Sequence, residues 1–121
     1  MAKIMIADDS MVMRRIIRGF LEAAGHQIVC EANSGDQACS YYARFEPDLV
    51  TMDINMPKMD GVEAVSNIVA NHPQAKIIMI SALNQKSMVL AALDVGAKHY
   101  LIKPVTSEKL LYVIHKVLKE S

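Results

Sequence analysis

Leu49-Val50-Thr51-Met52-Asp53 is a short apolar run that ends on a carboxylate, and the polar stretch Asn55-Met56-Pro57-Lys58-Met59-Asp60-Gly61 follows almost at once. Three other runs are built the same way: Ile4-Met5-Ile6-Ala7 leads into Asp8-Asp9, Ile77-Ile78-Met79-Ile80 into Ser81, and Tyr100-Leu101-Ile102 into Lys103-Pro104. Short continuous apolar runs alternating with helical patterns read as strands buried on both faces, the condition of a parallel sheet covered by helices. All strands of such a sheet point the same way, so the polar residues that end them collect along one edge. Ligands of open α/β sheets bind in the crevice outside that carboxyl edge. Three carboxylates, a hydroxyl and an ammonium are expected to converge there.

The rest of the chain supplies the covering helices. After a first strand over about 3–7, Met13, Ile16, Ile17, Phe20, Leu21 and Ala24 recur at helical spacing, with Arg14, Arg15, Arg18 and Glu22 opposite and Gly25 as the stop. A second strand is predicted over 27–32. Asn33-Ser34-Gly35 turns the chain into a helix over about 36–45, and Pro47 ends that segment. A helix over about 61–71, a strand over 76–80, a helix over about 85–95 stopped by Gly96 and a strand over 98–102 come next. The last helix begins after Thr106 and turns Leu110, Leu111, Ile114, Val117 and Leu118 inward. Five strand–helix repeats without a linker make residues 1–121 one α/β domain.

Composition excludes several partners. Thirteen Lys and Arg balance thirteen Asp and Glu, so the chain lacks the basic surface that a nucleic-acid backbone requires. No apolar run approaches the roughly 20 residues of a membrane span, and Lys3 leads straight into a strand rather than a signal peptide, so a cytoplasmic protein is expected. Cys30 and Cys39 are not spaced as metal ligands and read as buried free thiols, and the four histidines show no ligand spacing. The nine methionines read as core filler, with Met56 and Met59 the candidates for exposure near the site.

Asp8-Asp9, Asp53 within D-x-N-M-P-x-M-D-G, Ser81-Ala82, Tyr100 and Lys103-Pro104, in this order and at strand ends, together resemble the receiver domain of two-component signalling. The compact form is similar to stand-alone chemotaxis regulators of the CheY type. The resemblance covers nearly the whole chain. It implies a flavodoxin-like, doubly wound five-stranded parallel sheet in the order 2-1-3-4-5, flanked by five helices. The crevice rule was itself framed with this fold among its examples, so the two are not independent.

The residue types carry a chemistry. A carboxylate can attack phosphorus and hold the group as an acyl phosphate, and Asp53 is the candidate because acids lie on one side of it and Lys103 on the other. Crowded carboxylates call for a cation, and oxygen-only ligands suit Mg²⁺. The resemblance implies that Asp9 and Asp53 bind it directly, Asp8 largely through water and Asn55 through its backbone carbonyl. Lys103 brings an ammonium to the phosphoryl oxygens and Ser81 a hydroxyl. The resemblance also makes Ser81 and Tyr100 the switch pair, a histidine kinase the phosphodonor, and a phosphatase a possible second partner. An output protein, of which the flagellar motor switch is one candidate, is expected on the face of helix four, strand five and helix five, with Lys86, Lys98, His99, Tyr112 and Lys116 as exposed contributors. Three other readings are open. An aspartyl-phosphate phosphohydrolase would need D-x-D where this chain has Asp8-Asp9, a flavin carrier would need a Gly-rich loop where it has Ser10-Met11-Val12-Met13, and the chain is also compatible with a receiver excised from a longer regulator.

Overall fold

Strand and helix alternate five times in the computed structural model, which describes residues 1–120: β1 (Lys3–Ala7), α1 (Met11–Ala23), β2 (Gln27–Ala32), α2 (Gly35–Phe45), β3 (Leu49–Asp53), α3 (Gly61–Asn71), β4 (Ile77–Ser81), α4 (Lys86–Asp94), β5 (His99–Ile102) and α5 (Ser107–Lys119). Ser121, the last residue of the expected domain, lies outside the described residues. The strands pair in parallel in the order β2-β1-β3-β4-β5. The doubly wound sheet expected from the sequence is the observed one, and element ends differ from the expected ones by a residue or so.

Side chains alternate across each strand, and this alternation divides the core in two. Ile4, Ile6, Leu49, Ile78, Ile80 and Leu101 pack with Ile17 and Leu21 of α1 and with Leu110, Val113, Ile114 and Val117 of α5. On the other side Met5, Val50, Met52, Ile77 and Met79 pack with residues of α2, α3 and α4, among them Ala38, Ile68 and Val89. Helix starts follow from short polar side chains that satisfy open amides of the first turn. Ser10, Ser34, Asp60 and Thr106 accept from Met13, Gln37, Glu63 and Lys109 respectively. Gly25 takes φ +89°, the left-handed stop expected after α1.

The structure corrects four side-chain expectations. Ile16 is 42% exposed and Ala24 is also exposed, because α1 buries only a narrow stripe centred on Ile17 and Leu21, while Arg14, expected outside, is half-buried. Met56 is buried rather than exposed, and Met59 is half-buried with its sulfur 3.7 Å from the Cys39 thiol. Cys30 and Cys39 are free thiols but only half-buried. His99, expected as an exposed contributor to the output face, is half-buried.

One buried group is mismatched to its surroundings. Thr51, at the centre of β3 between Ile6 and Ile78, places a hydroxyl in the core with no hydrogen-bond partner. An unmet hydroxyl in an apolar setting costs about 1–3 kcal/mol, and valine has the same shape without that group. Thr51→Val is therefore expected to raise the unfolding free energy by about 1 kcal/mol in a denaturant titration. A loss of stability instead would mean that the hydroxyl finds a partner in solution.

Candidate functional site

The carboxyl edge of the sheet gathers the residues that end β1, β3, β4 and β5. Asp8 continues β1, and its amide extends the ladder to the Ala32 carbonyl at 2.9 Å. Asp53 closes β3 and Ser81 closes β4, while Lys103 follows β5 with its amide on the Ser81 carbonyl at 2.8 Å. Carboxylate oxygens of Asp8, Asp9 and Asp53 all lie within 4.8 Å of one another. The Lys103 ammonium sits 3.6 Å from Asp53 Oδ2. The expected cluster of three acids and one cation is thus in place. The peptide bond before Pro104 is cis.

Burial decides the electrostatics. Asp53 is only 5% exposed and its pKa is pushed up to about 6, first by loss of hydration and second by the charge of Asp8, with Lys103 and the Asn55 amide opposing. Asp8 is also buried and its carboxyl is raised, again mainly by desolvation, although the Ser10 amide donates to its Oδ1 at 2.9 Å. Desolvation therefore outweighs the crowding of charges anticipated from the sequence. Asp9 is exposed at the rim.

The donor set suits a hard divalent cation. It consists of carboxylate oxygens alone, and Asp8 Oδ2 is buried without a partner, the condition of a ligand atom awaiting a cation or water. Among the described residues this is the only cluster of three or more acidic, histidine or cysteine side chains placed to hold a metal. A separate cleft of about 470 Å³ opens at the opposite edge of the sheet beside Tyr42, Asp48, His72 and Lys76.

The remaining expected residues stand further out. The Asn55 amide donates to Asp53 Oδ1 at 3.4 Å while its side chain is exposed. Ser81 is fully buried, and its hydroxyl has no partner. By strand alternation Ser81 shares the side of Ile77 and Met79, whereas Asp53 shares that of Leu49 and Thr51, which accounts for the hydroxyl's failure to reach the carboxylate. Tyr100 is 42% exposed on β5, outside the acidic cluster, and lines a groove of about 230 Å³ with Leu83, Lys86, Val89, Leu90 and Ile102.

Sequence reasoning missed the support behind the acids. Arg14 of α1 donates to the Asp8 carbonyl at 2.6 Å and to Glu31 of β2 at 2.9 Å, and Arg18 also bonds Glu31. Arginines one helical turn apart, with a lone acid on the neighbouring strand pattern, were the available signal. Gln85 was missed too: its Oε1 accepts the Ala82 amide at 2.8 Å.

The profile of the response regulator receiver domain matches residues 4–115. The chemotaxis protein CheY of Bacillus subtilis is 45% identical over 116 residues, covering 96% of this chain and 97% of its own. The CheY of Listeria monocytogenes is 41% identical over 119 residues, with 98% of this chain and 100% of its own covered. Among solved structures, the CheX–CheY–BeF3–Mg complex from Borrelia burgdorferi has a TM-score of 0.93 at 34% identity, covering 98% of this chain and 90% of that one. The response regulator domain of Thermotoga maritima CheB has a TM-score of 0.91 at 26% identity, covering 98% and 97%.

Proposed function

The chain belongs to the response regulator receiver family, close to the CheY chemotaxis regulators, and from that premise we propose that Asp53 accepts a phosphoryl group from a histidine kinase and that residues 1–121 act as one switch. The observation that carries the reading is the buried Asp53 carboxylate, held between the acids Asp8 and Asp9 and the Lys103 ammonium. With its pKa about 6, Asp53 is mostly ionised at neutral pH, so one oxygen can attack phosphorus as the bond to the donor imidazole breaks. Asp9 and Asp53 would hold Mg²⁺ directly, with Asp8 acting largely through water and the Asn55 carbonyl as a further ligand. Once bound there, the ion would supply positive charge against the carboxylates and the incoming phosphoryl oxygens. Lys103 adds a compact positive charge on the other side. The product stays on the protein, so the chain is a switch rather than an enzyme turning over a separate substrate, and its setting is the cytoplasm.

Output follows from Ser81. The phosphoryl group brings roughly −1.5 to −2 charges and new acceptor oxygens. The unpartnered Ser81 hydroxyl turns to them, and the space it leaves admits the Tyr100 ring from its outward position on β5. The reshaped face of α4, β5 and α5, with Lys86, Lys98, Tyr112 and Lys116 exposed on it, binds the output protein, such as a flagellar motor switch component. A phosphatase is the expected third partner. Moving a switch from nearly off to nearly on needs about 5 kcal/mol in favour of the active state, and a hydrogen bond to a charged group supplies about 1.5–3 kcal/mol of it. Ser81→Ala is expected to accept phosphate yet lose roughly tenfold or more of the phosphorylation dependence of output binding. Full dependence in that variant, or an interface mapped to α2 and α3, would overturn this account of the output.

The acceptor reading is tested by incubating the protein with a small phosphodonor. Intact-mass measurement should show one phosphoryl group added in Mg²⁺ and none after chelation. Equal uptake without a divalent cation would contradict the proposed role of the acids.

A further inference from the structure

Four of the five helices begin on a polar side chain that accepts an amide of its own first turn, from Ser10, Ser34, Asp60 and Thr106. The exception is α4. Gln85 occupies the corresponding position but makes no capping bond. Its Oε1 reaches backwards to the Ala82 amide at 2.8 Å, while its own amide donates to the Ala82 carbonyl at 3.3 Å. The turn between β4 and α4 is thus closed twice by one residue, and the first turn of α4 goes without the side-chain cap that the other four helices have.

The bonded amide lies at a sensitive place. Ala82 N–H belongs to the peptide group whose carbonyl is that of Ser81, and this carbonyl accepts the Lys103 amide at 2.8 Å. One peptide group is therefore held from both sides, by β5 and by Gln85. The Ser81 side chain makes no hydrogen bond of its own, since its hydroxyl is buried without a partner. The hydrogen bonds that fix Ser81 in its present orientation are therefore those of its backbone peptide. The Gln85 contact is the only one of the two that belongs to a side chain rather than to the strand ladder.

We infer that Gln85 is a positioning residue of the switch. Its side chain latches the Ser81–Ala82 peptide in the unphosphorylated arrangement, so that Ser81 turns towards Asp53 only as this bond is given up. The inference rests on the reading of Asp53 as phosphoryl acceptor and names what opposes the transition. A neutral hydrogen bond made in one state and not the other shifts a two-state equilibrium by roughly twofold to tenfold. The apparent affinity of any ligand selective for the active state changes by the same factor.

The test uses beryllium fluoride with Mg²⁺ as a phosphoryl mimic on the full chain, followed by two-dimensional amide NMR. Gln85→Ala and Gln85→Met, which both remove the acceptor, should bind the mimic roughly twofold to tenfold more tightly than the wild type. Gln85→Glu, which keeps an acceptor, should stay within twofold of it. Affinity for Mg²⁺ alone should be unchanged in all three, and the Ala82 amide should exchange with solvent faster only in the first two. Unchanged or weaker binding of the mimic by folded Gln85→Met, at wild-type Mg²⁺ affinity, would overturn the latch while leaving the acceptor reading intact. Failure of the wild type itself to bind the mimic would instead overturn the acceptor reading.

Discussion

Asp53→Asn is expected to take up no phosphoryl group from a small phosphodonor in Mg²⁺, and to be more stable than the wild type when metal-free at neutral pH. Loss of uptake follows from the amide's lack of a nucleophilic oxygen anion. The gain in stability follows from the raised pKa of Asp53, which lies at about 6 in the fold against 3.8 for an unperturbed Asp. Between these values the folded state binds more protons than the unfolded one, so stability is full below about pH 4 and is lost as pH rises through 6. About two pH units at 1.36 kcal/mol each, with the attraction to Lys103 already contained in the shift, give a cost on the order of 2–3 kcal/mol at pH 7 that the neutral amide avoids. Chemical denaturation in a chelating buffer at pH 7 and pH 4.5 measures this. The variant's advantage should shrink towards the lower pH, and an advantage independent of pH would refute the burial argument. Added Mg²⁺ should favour the wild type.

Gly61→Ala is expected to destabilise the fold by about 2 kcal/mol. Gly61 opens α3, where alanine would ordinarily gain about 1 kcal/mol in helix propensity. A Cβ at this position would lie 2.4 Å from the Asp53 carbonyl oxygen and 2.8 Å from Ile54 Cα, both backbone atoms that cannot rotate away. Overpacking against a rigid partner costs about 1–3 kcal/mol or more, so sterics outweigh propensity. Gly35→Ala should behave similarly, because its Cβ would lie 1.9 Å from the Met59 carbonyl oxygen. Thermal melts of the variants provide the measurement, and a melting point at or above that of the wild type for both would contradict the close approaches.

These two glycines also show where sequence reading stops. Gly35 reads as part of a turn and Gly61 as the end of the polar loop, yet Gly35 is required by the remote backbone of Met59 and Gly61 by the loop folding back on Asp53 and Ile54, and no local pattern reveals either approach. Asp8, Asp9, Asp53, Ser81 and Lys103 were legible because each ends a continuous apolar run, and parallel strands bring such ends together. The periodicity said nothing of strand order, which came from the resemblance of the combined motifs to the receiver family. Ile16 and Met56 were misplaced for related reasons. An apolar residue at helical spacing marks a stripe without fixing its width, and a methionine in a polar loop gives no sign that the loop folds inward. The Arg14–Glu31 pair and the Gln85–Ala82 bond depend on the exact path of β2 and of the β4–α4 turn, and periodicity does not resolve either.

The position of the phosphoryl group bears most directly on the account. Borohydride reduces an aspartyl acyl phosphate to homoserine, which marks the acceptor covalently. Treating the phosphorylated chain with borohydride and sequencing its peptides by mass spectrometry should place homoserine at position 53 alone. Homoserine at position 8 or 9, or phosphate retained on Ser81 or a histidine, would contradict the assignment of Asp53 as acceptor.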